Sequence, residues 1–186
     1  MEIIIVSGLP RSGTSLMMQM LDNGGVELVT DGVRAADTDN PRGYYELEQV
    51  KSIKRDASWL PQTRGKAFKM VSQLLYDLPS SERYRIIFME RDFDEMLASQ
   101  EKMLERLGKR AAARHEIVRS FTLHLERLHL WLAQQPNMLR LLVSYNDLIA
   151  EPRLQAEHVR QFLGVEADVE RMARTVDPSL YRNRKA

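Results

Sequence analysis

The chain has no cysteine, so it can hold no disulfide and no thiolate metal site, which suits a reducing cytoplasm. It has no long hydrophobic run. The longest near the N-terminus is "IIIV", too short for the apolar core of a secretory signal or for a membrane span. It has almost no excess of charge. At a net charge of +1 it has no global attraction to nucleic acid or to a membrane surface, so any anion site must be a local cluster. Internal repeats and low-complexity stretches are also missing. What remains is a 186-residue chain, 44% hydrophobic and 28% charged, the composition of a soluble globular protein. That length suits one core, and a single domain over residues 1–186 is expected.

A second absence lies in the loop "SGLPRSGTS" near the start of the chain. Gly8 and Gly13 have the spacing of a phosphate-binding P-loop and Ser15 follows, but Thr14 stands where that motif has lysine. The loop's positive charge is Arg11. The preceding "IIIVS" reads as a strand buried on both faces, and Leu16, Met17, Met20 and Leu21 give a helical stripe stopped at Gly24-Gly25. At a helix N-terminus, the N–H groups of Ser12, Gly13, Thr14 and Ser15 form an anion cradle. Without the lysine, ordinary transfer from a nucleoside triphosphate is disfavoured.

Farther along, "VELVT" reads as a short strand and "LEQVKSIKRDASWL" as a helix. "KAFKMVS", "RIIFME" and "MLRLLVSY" read as buried strands. Asp92 and Glu95 form a capping box before a helix to about Gly108. A long helix is expected from about Ala111 to Gln135, with a stripe of Ile117, Phe121, Leu125, Leu128 and Trp131. Pro152 opens another helix. Alternating strands and helices predict an α/β fold: a P-loop-like three-layer sandwich with a mostly parallel central sheet flanked by helices.

"PRSGTSL" after the first strand resembles the 5′-phosphosulfate loop of sulfotransferases that use 3′-phosphoadenosine 5′-phosphosulfate (PAPS). "IIFMERDFDEMLASQ" resembles that family's 3′-phosphate segment, in which Arg91 ends a strand and Ser99 follows eight residues later. "NPRGYYE", "SYNDLIAEPRLQAEHVRQFLGV" and "VDPSLYRNRK" resemble further segments of the family. The resemblance implies a donor site made of Arg11, Ser12, Gly13, Thr14, Ser15, Arg91 and Ser99, with Tyr145 near the adenine and Arg182 as a tail contact. It implies PAPS as co-substrate, 3′,5′-bisphosphoadenosine (PAP) as product, and a hydroxyl- or amine-bearing acceptor. Neither a metal, a nucleic acid nor a membrane is expected as a partner, and the oligomeric state is not legible.

The histidine-based cytosolic branches place a base two residues after a strand lysine. Lys69 matches that lysine, but Val71 occupies the histidine position. The pattern is closer to the carbohydrate and tyrosyl-protein branches, which use glutamate. Glu46 is therefore the candidate base, with Glu48 its nearest competitor, and Arg11 and Lys69 are candidate charge stabilisers. Leu16 stands where the family often has a tryptophan against adenine. His124 reads as a core or boundary residue, and Met17, Met18, Met20 and Met103 as core filler. Two other functions fit the same loop: a small-molecule P-loop kinase using Glu90 or Asp92 for magnesium, and a nucleotide-binding protein without catalysis.

Overall fold

The computed structural model describes residues 1–37, 40, 42–109 and 112–180. Four strands carry the fold: β1 (Ile3–Gly8), β2 (Ala67–Val71), β3 (Tyr84–Glu90) and β4 (Met138–Ser144). They form one parallel sheet in the order β2-β1-β3-β4. Among the described residues six α-helices accompany it: α1 (Thr14–Asn23), α2 (Phe93–Arg106), α3 (Arg114–Leu132), α4 (Tyr145–Ala150), α5 (Pro152–Leu163) and α6 (Val169–Arg174).

The period of two along β1 explains the layers. Ile3 and Ile5 face a core with Phe68, Phe88, Leu128 and Leu132. Ile4 and Val6 face the other, with Met17, Met20, Val159 and Met172. Both faces are covered, as parallel strands require. The methionine stripe of α1 is fully buried, but Met103 is only half-buried.

After β1 the chain runs to β2 on one side, while β3 continues to β4 on the other. The carboxyl ends of β1 and β3 therefore flank a topological switch point, where open α/β sheets hold ligands. The glycine loop follows β1, and Arg91 follows β3.

Three sequence expectations are corrected. "VELVT" makes only a single bridge, Leu28 to Ala67. The segment from Leu47 to Leu60 is not a helix but two short 3-10 turns, Glu48–Ser52 and Leu60–Thr63. Its apolar residues do reach the core, as the spacing suggested. Between them Asp56 accepts from the Ser58 N–H, a local bond that competes with a continuous helix. The long helix is shorter than expected and spans Arg114–Leu132.

Candidate active site

A cavity of about 520 Å³ opens at the carboxyl ends of β1, β2 and β3. Its floor is the loop from Gly8 to Ser15. The two glycines are needed there for different reasons. A Cβ on Gly8 would stand 2.6 Å from the Met89 carbonyl oxygen, which is backbone and cannot yield. Gly13 has φ +100°, and a Cβ on it would lie 2.4 Å from the Tyr145 ring. Arg11 is itself left-handed, at φ 70°. Among the described residues the other such non-glycine is Tyr45, at φ 54°, beside the same cavity. Positions of this kind cost of order 1–3 kcal/mol and gather at functional sites.

Helix α1 begins at Gly13 with no side-chain cap and no acidic residue in its first turn. Its first N–H groups thus offer positive potential to the cavity, which Gly13, Thr14 and Ser15 line. Ser12 is placed otherwise. Its N–H donates to the Leu9 carbonyl at 3.2 Å, and its buried hydroxyl has no hydrogen-bond partner among the described residues.

One wall comes from β3 and α2. Asp92 caps α2 by accepting from the Asp94 and Glu95 N–H groups. Arg91 is 8% exposed and pairs with the buried Glu95 at 3.2 Å, so the strand-end salt bridge forms. The Arg91 guanidinium also lies 4.3 Å from the Tyr145 ring centre and donates to the Arg11 carbonyl at 3.4 Å. Arg91 still lines the cavity. Ser99 is buried and accepts from Arg11 Nε at 3.0 Å. One and two turns beyond Ser99, α2 brings Lys102, Met103 and Arg106 to the same wall. Tyr145, expected near adenine, packs against Gly13 and Arg91 and lines the cavity.

The opposite wall is built by β2 and the turn at Gly43. Lys69 Nζ donates to the Tyr44 carbonyl and to Ser15 Oγ, and stands 3.9 Å from Glu46. Burial pushes the Lys69 ammonium down to about 8, against the opposing pull of Glu46. Glu46 faces the cavity and accepts from Arg34 at 2.9 Å. Glu48 lies outside it, exposed and paired with Lys51. Val71 lines the cavity at the position read as the missing histidine. His124 lies elsewhere, half-buried against Ser72 Oγ at 2.9 Å, and its pKa is lowered by burial.

The structure thus gathers Arg11, Gly13, Thr14, Ser15, Glu46, Lys69, Arg91, Ser99 and Tyr145 around one space. Arg182 lies outside the described residues. Sequence reasoning missed Arg34, Arg42, Lys102 and Arg106. For the last two, their helical spacing from Ser99 was a usable signal. Among the described residues no cluster of three or more His, Cys, Asp or Glu is placed to hold a metal ion. Nor is any described helix long and apolar enough to cross a membrane.

Several solved structures share the fold. The sulfotransferase domain from the curacin biosynthetic pathway aligns with a TM-score of 0.57 at 13% identity, over 95% of this chain and 78% of that one. Sulfotransferase STF1 from Mycobacterium tuberculosis H37Rv aligns with a TM-score of 0.56 at 14% identity, over 97% and 73%. Mouse sulfotransferase SULT7A1, solved in complex with PAP, gives 0.53 at 12% identity, over 96% and 63%. No curated protein matches the chain by sequence. The profile of one family, described as the sulfotransferase domain, matches residues 2–186, and the chain belongs to that family, whose reaction is the transfer of a sulfuryl group to an acceptor.

Proposed function

We propose that this chain takes its sulfuryl group from PAPS and delivers it to a hydroxyl or amine. The observation that carries the reading is the cavity's charge. Seven cationic side chains and two carboxylates line it, in a chain whose net charge is only +1. Such a focus of positive potential favours a ligand with several negative charges. The uncapped start of α1 and the glycines that admit no Cβ support a phosphate group against the loop.

The donor supplies a sulfur bonded to a phosphate leaving group. In this reading the Thr14 and Ser15 N–H groups and Arg11 hold the 5′ end, while Arg91 and Ser99 hold the 3′-phosphate. Arg91 lines the cavity as well as pairing with Glu95, and its guanidinium carries five N–H donors. Glu46 accepts the proton of the attacking group. As the new bond to sulfur forms and the bond from sulfur to the phosphate oxygen breaks, charge moves onto that oxygen. Lys69, Arg11 and the loop amides stabilise it there. We further read residues 1–186 as one domain working in the cytoplasm, on the strength of its size and cysteine-free composition.

The test is turnover without metal. PAP should form from PAPS on a broad hydroxyl and amine panel in the presence of a chelator, and ATP with magnesium should yield no phosphoryl product. Magnesium-dependent phosphorylation of any acceptor would overturn the reading. PAP binding with no transfer to any member would favour a binding protein.

A further inference from the structure

Arg34 and Glu46 make the pair that the donor reading leaves unexplained. The Arg34 guanidinium lies 3.4 Å from the Tyr44 ring centre, stacked on its face. That ring is a fixed platform, since Tyr44 is buried and its hydroxyl donates to the Asp37 carboxylate at 2.7 Å. One N–H of Arg34 reaches Glu46 at 2.9 Å. The side chain is 44% exposed and lines the cavity, so much of its donor edge is open to a ligand. A further cation of this wall, Arg42, is committed elsewhere, to the Thr175 carbonyl at 2.6 Å and to Asp177 at 3.2 Å. Arg34 therefore stands beside the proposed base Glu46, where the acceptor must bring its proton.

We infer that the acceptor is itself an acid, bearing a carboxylate, sulfate or phosphate near the group that is sulfated, and that Arg34 recognises this oxyanion. The inference rests on the donor reading above. A stacked guanidinium presents its edge as a planar fork, which fits an oxyanion in bidentate fashion. A neutral acceptor would offer that open edge only uncharged oxygens, weaker partners than an oxyanion. An acidic acceptor takes the open edge of Arg34 while the pair with Glu46 persists, which sets the acceptor beside the proposed base. Arg34 is thus a positioning residue, selecting the acceptor and holding it next to Glu46.

The experiment uses PAP-saturated protein titrated with matched probes: glucose, glucuronate, glucose 6-sulfate and glucose 6-phosphate, and phenol against 4-hydroxybenzoate. Binding is read by calorimetry in wild type, Arg34→Ala and Arg34→Lys. At least one acidic probe should bind roughly tenfold or more tighter than its neutral partner, the worth of a hydrogen bond to a charged group. Arg34→Ala should erase that preference and Arg34→Lys keep part of it, with PAP still binding both variants, which also reports an intact fold. The three glucose derivatives distinguish carboxylate from sulfate from phosphate. The inference is overturned if no acidic probe outbinds its neutral partner, or if Arg34→Ala retains the preference. Failure of PAP to bind wild type would instead overturn the donor reading, and this inference with it.

Discussion

Arg11 Nε donates to the Ser99 hydroxyl across 3.0 Å, tying the loop after β1 to the α2 helix after β3. The two sides of the switch point are thus joined by side chains before any ligand arrives. Both residues line the cavity, so a donor spanning the switch point would meet a loop arginine and a helix hydroxyl already held together. Ser99→Ala should weaken PAP binding by roughly 10-fold or somewhat more, the loss of one hydrogen bond to a charged group. It should leave 5′-AMP binding nearly unchanged. Calorimetry with the two nucleotides checks this, and an equal loss for both would place Ser99 away from the 3′-phosphate.

The glycine at 13 offers a stability test. Gly13→Ala puts a methyl group into the Tyr145 ring and forces a positive φ on alanine. It should cost at least about 1 kcal/mol and also weaken PAP binding, because the start of α1 must shift. Urea unfolding with and without PAP measures both. A variant as stable as wild type would show that the loop and Tyr145 are not packed as described.

Lys69 sets a pH dependence. Its buried ammonium loses its proton at about 8, against 10.5 as the ordinary value. Between those values the unfolded chain binds the extra proton, so stability rises with pH. Below pH 8 the cost of burying the charge is present in full. Lys69→Met should flatten this part of the stability curve relative to wild type, as read by denaturant unfolding from pH 7 to about 10. Parallel curves would contradict the assignment. A bound phosphate favours the charged lysine, so wild-type affinity for PAP should also fall as pH passes above 8, and that of Lys69→Met should not.

The proposed base separates binding from chemistry. Glu46→Gln should bind PAP almost as wild type does, yet transfer sulfuryl roughly 10²–10⁴-fold more slowly in single turnover. Glu48→Gln should match wild type in both, since Glu48 is exposed and paired with Lys51 outside the cavity. A slow Glu48→Gln variant with a fast Glu46→Gln variant would reverse the roles.

The floor and one wall of this site were legible in the sequence because regular structure fixes them. A β-branched strand, two glycines five residues apart and an apolar helical stripe leave the loop few paths. Arg91 ends a strand, and Ser99 follows at helical spacing. The other wall was legible only through the resemblance of "NPRGYYE" to a known turn. Its course depends on Gly43 and on the left-handed Tyr45, and no periodicity reports the path of such a segment. Arg34 reaches the cavity through irregular backbone and so left no pattern. The misread helix at 47–60 has a related cause, because apolar spacing records which residues enter the core and not which hydrogen bonds lead them there.

The central claim is a site for an adenine nucleotide carrying both a 3′- and a 5′-phosphate. Thermal unfolding in the presence of chelator, with PAP and 5′-AMP compared at equal concentration, tests it most directly. PAP should stabilise the protein by about 2.7 kcal/mol at a hundredfold excess over its dissociation constant. At the same concentration 5′-AMP should stabilise it far less, and Arg91→Ala should bring the two nucleotides together. Equal stabilisation of wild type by PAP and 5′-AMP, or stabilisation only by ATP with magnesium, would contradict the account.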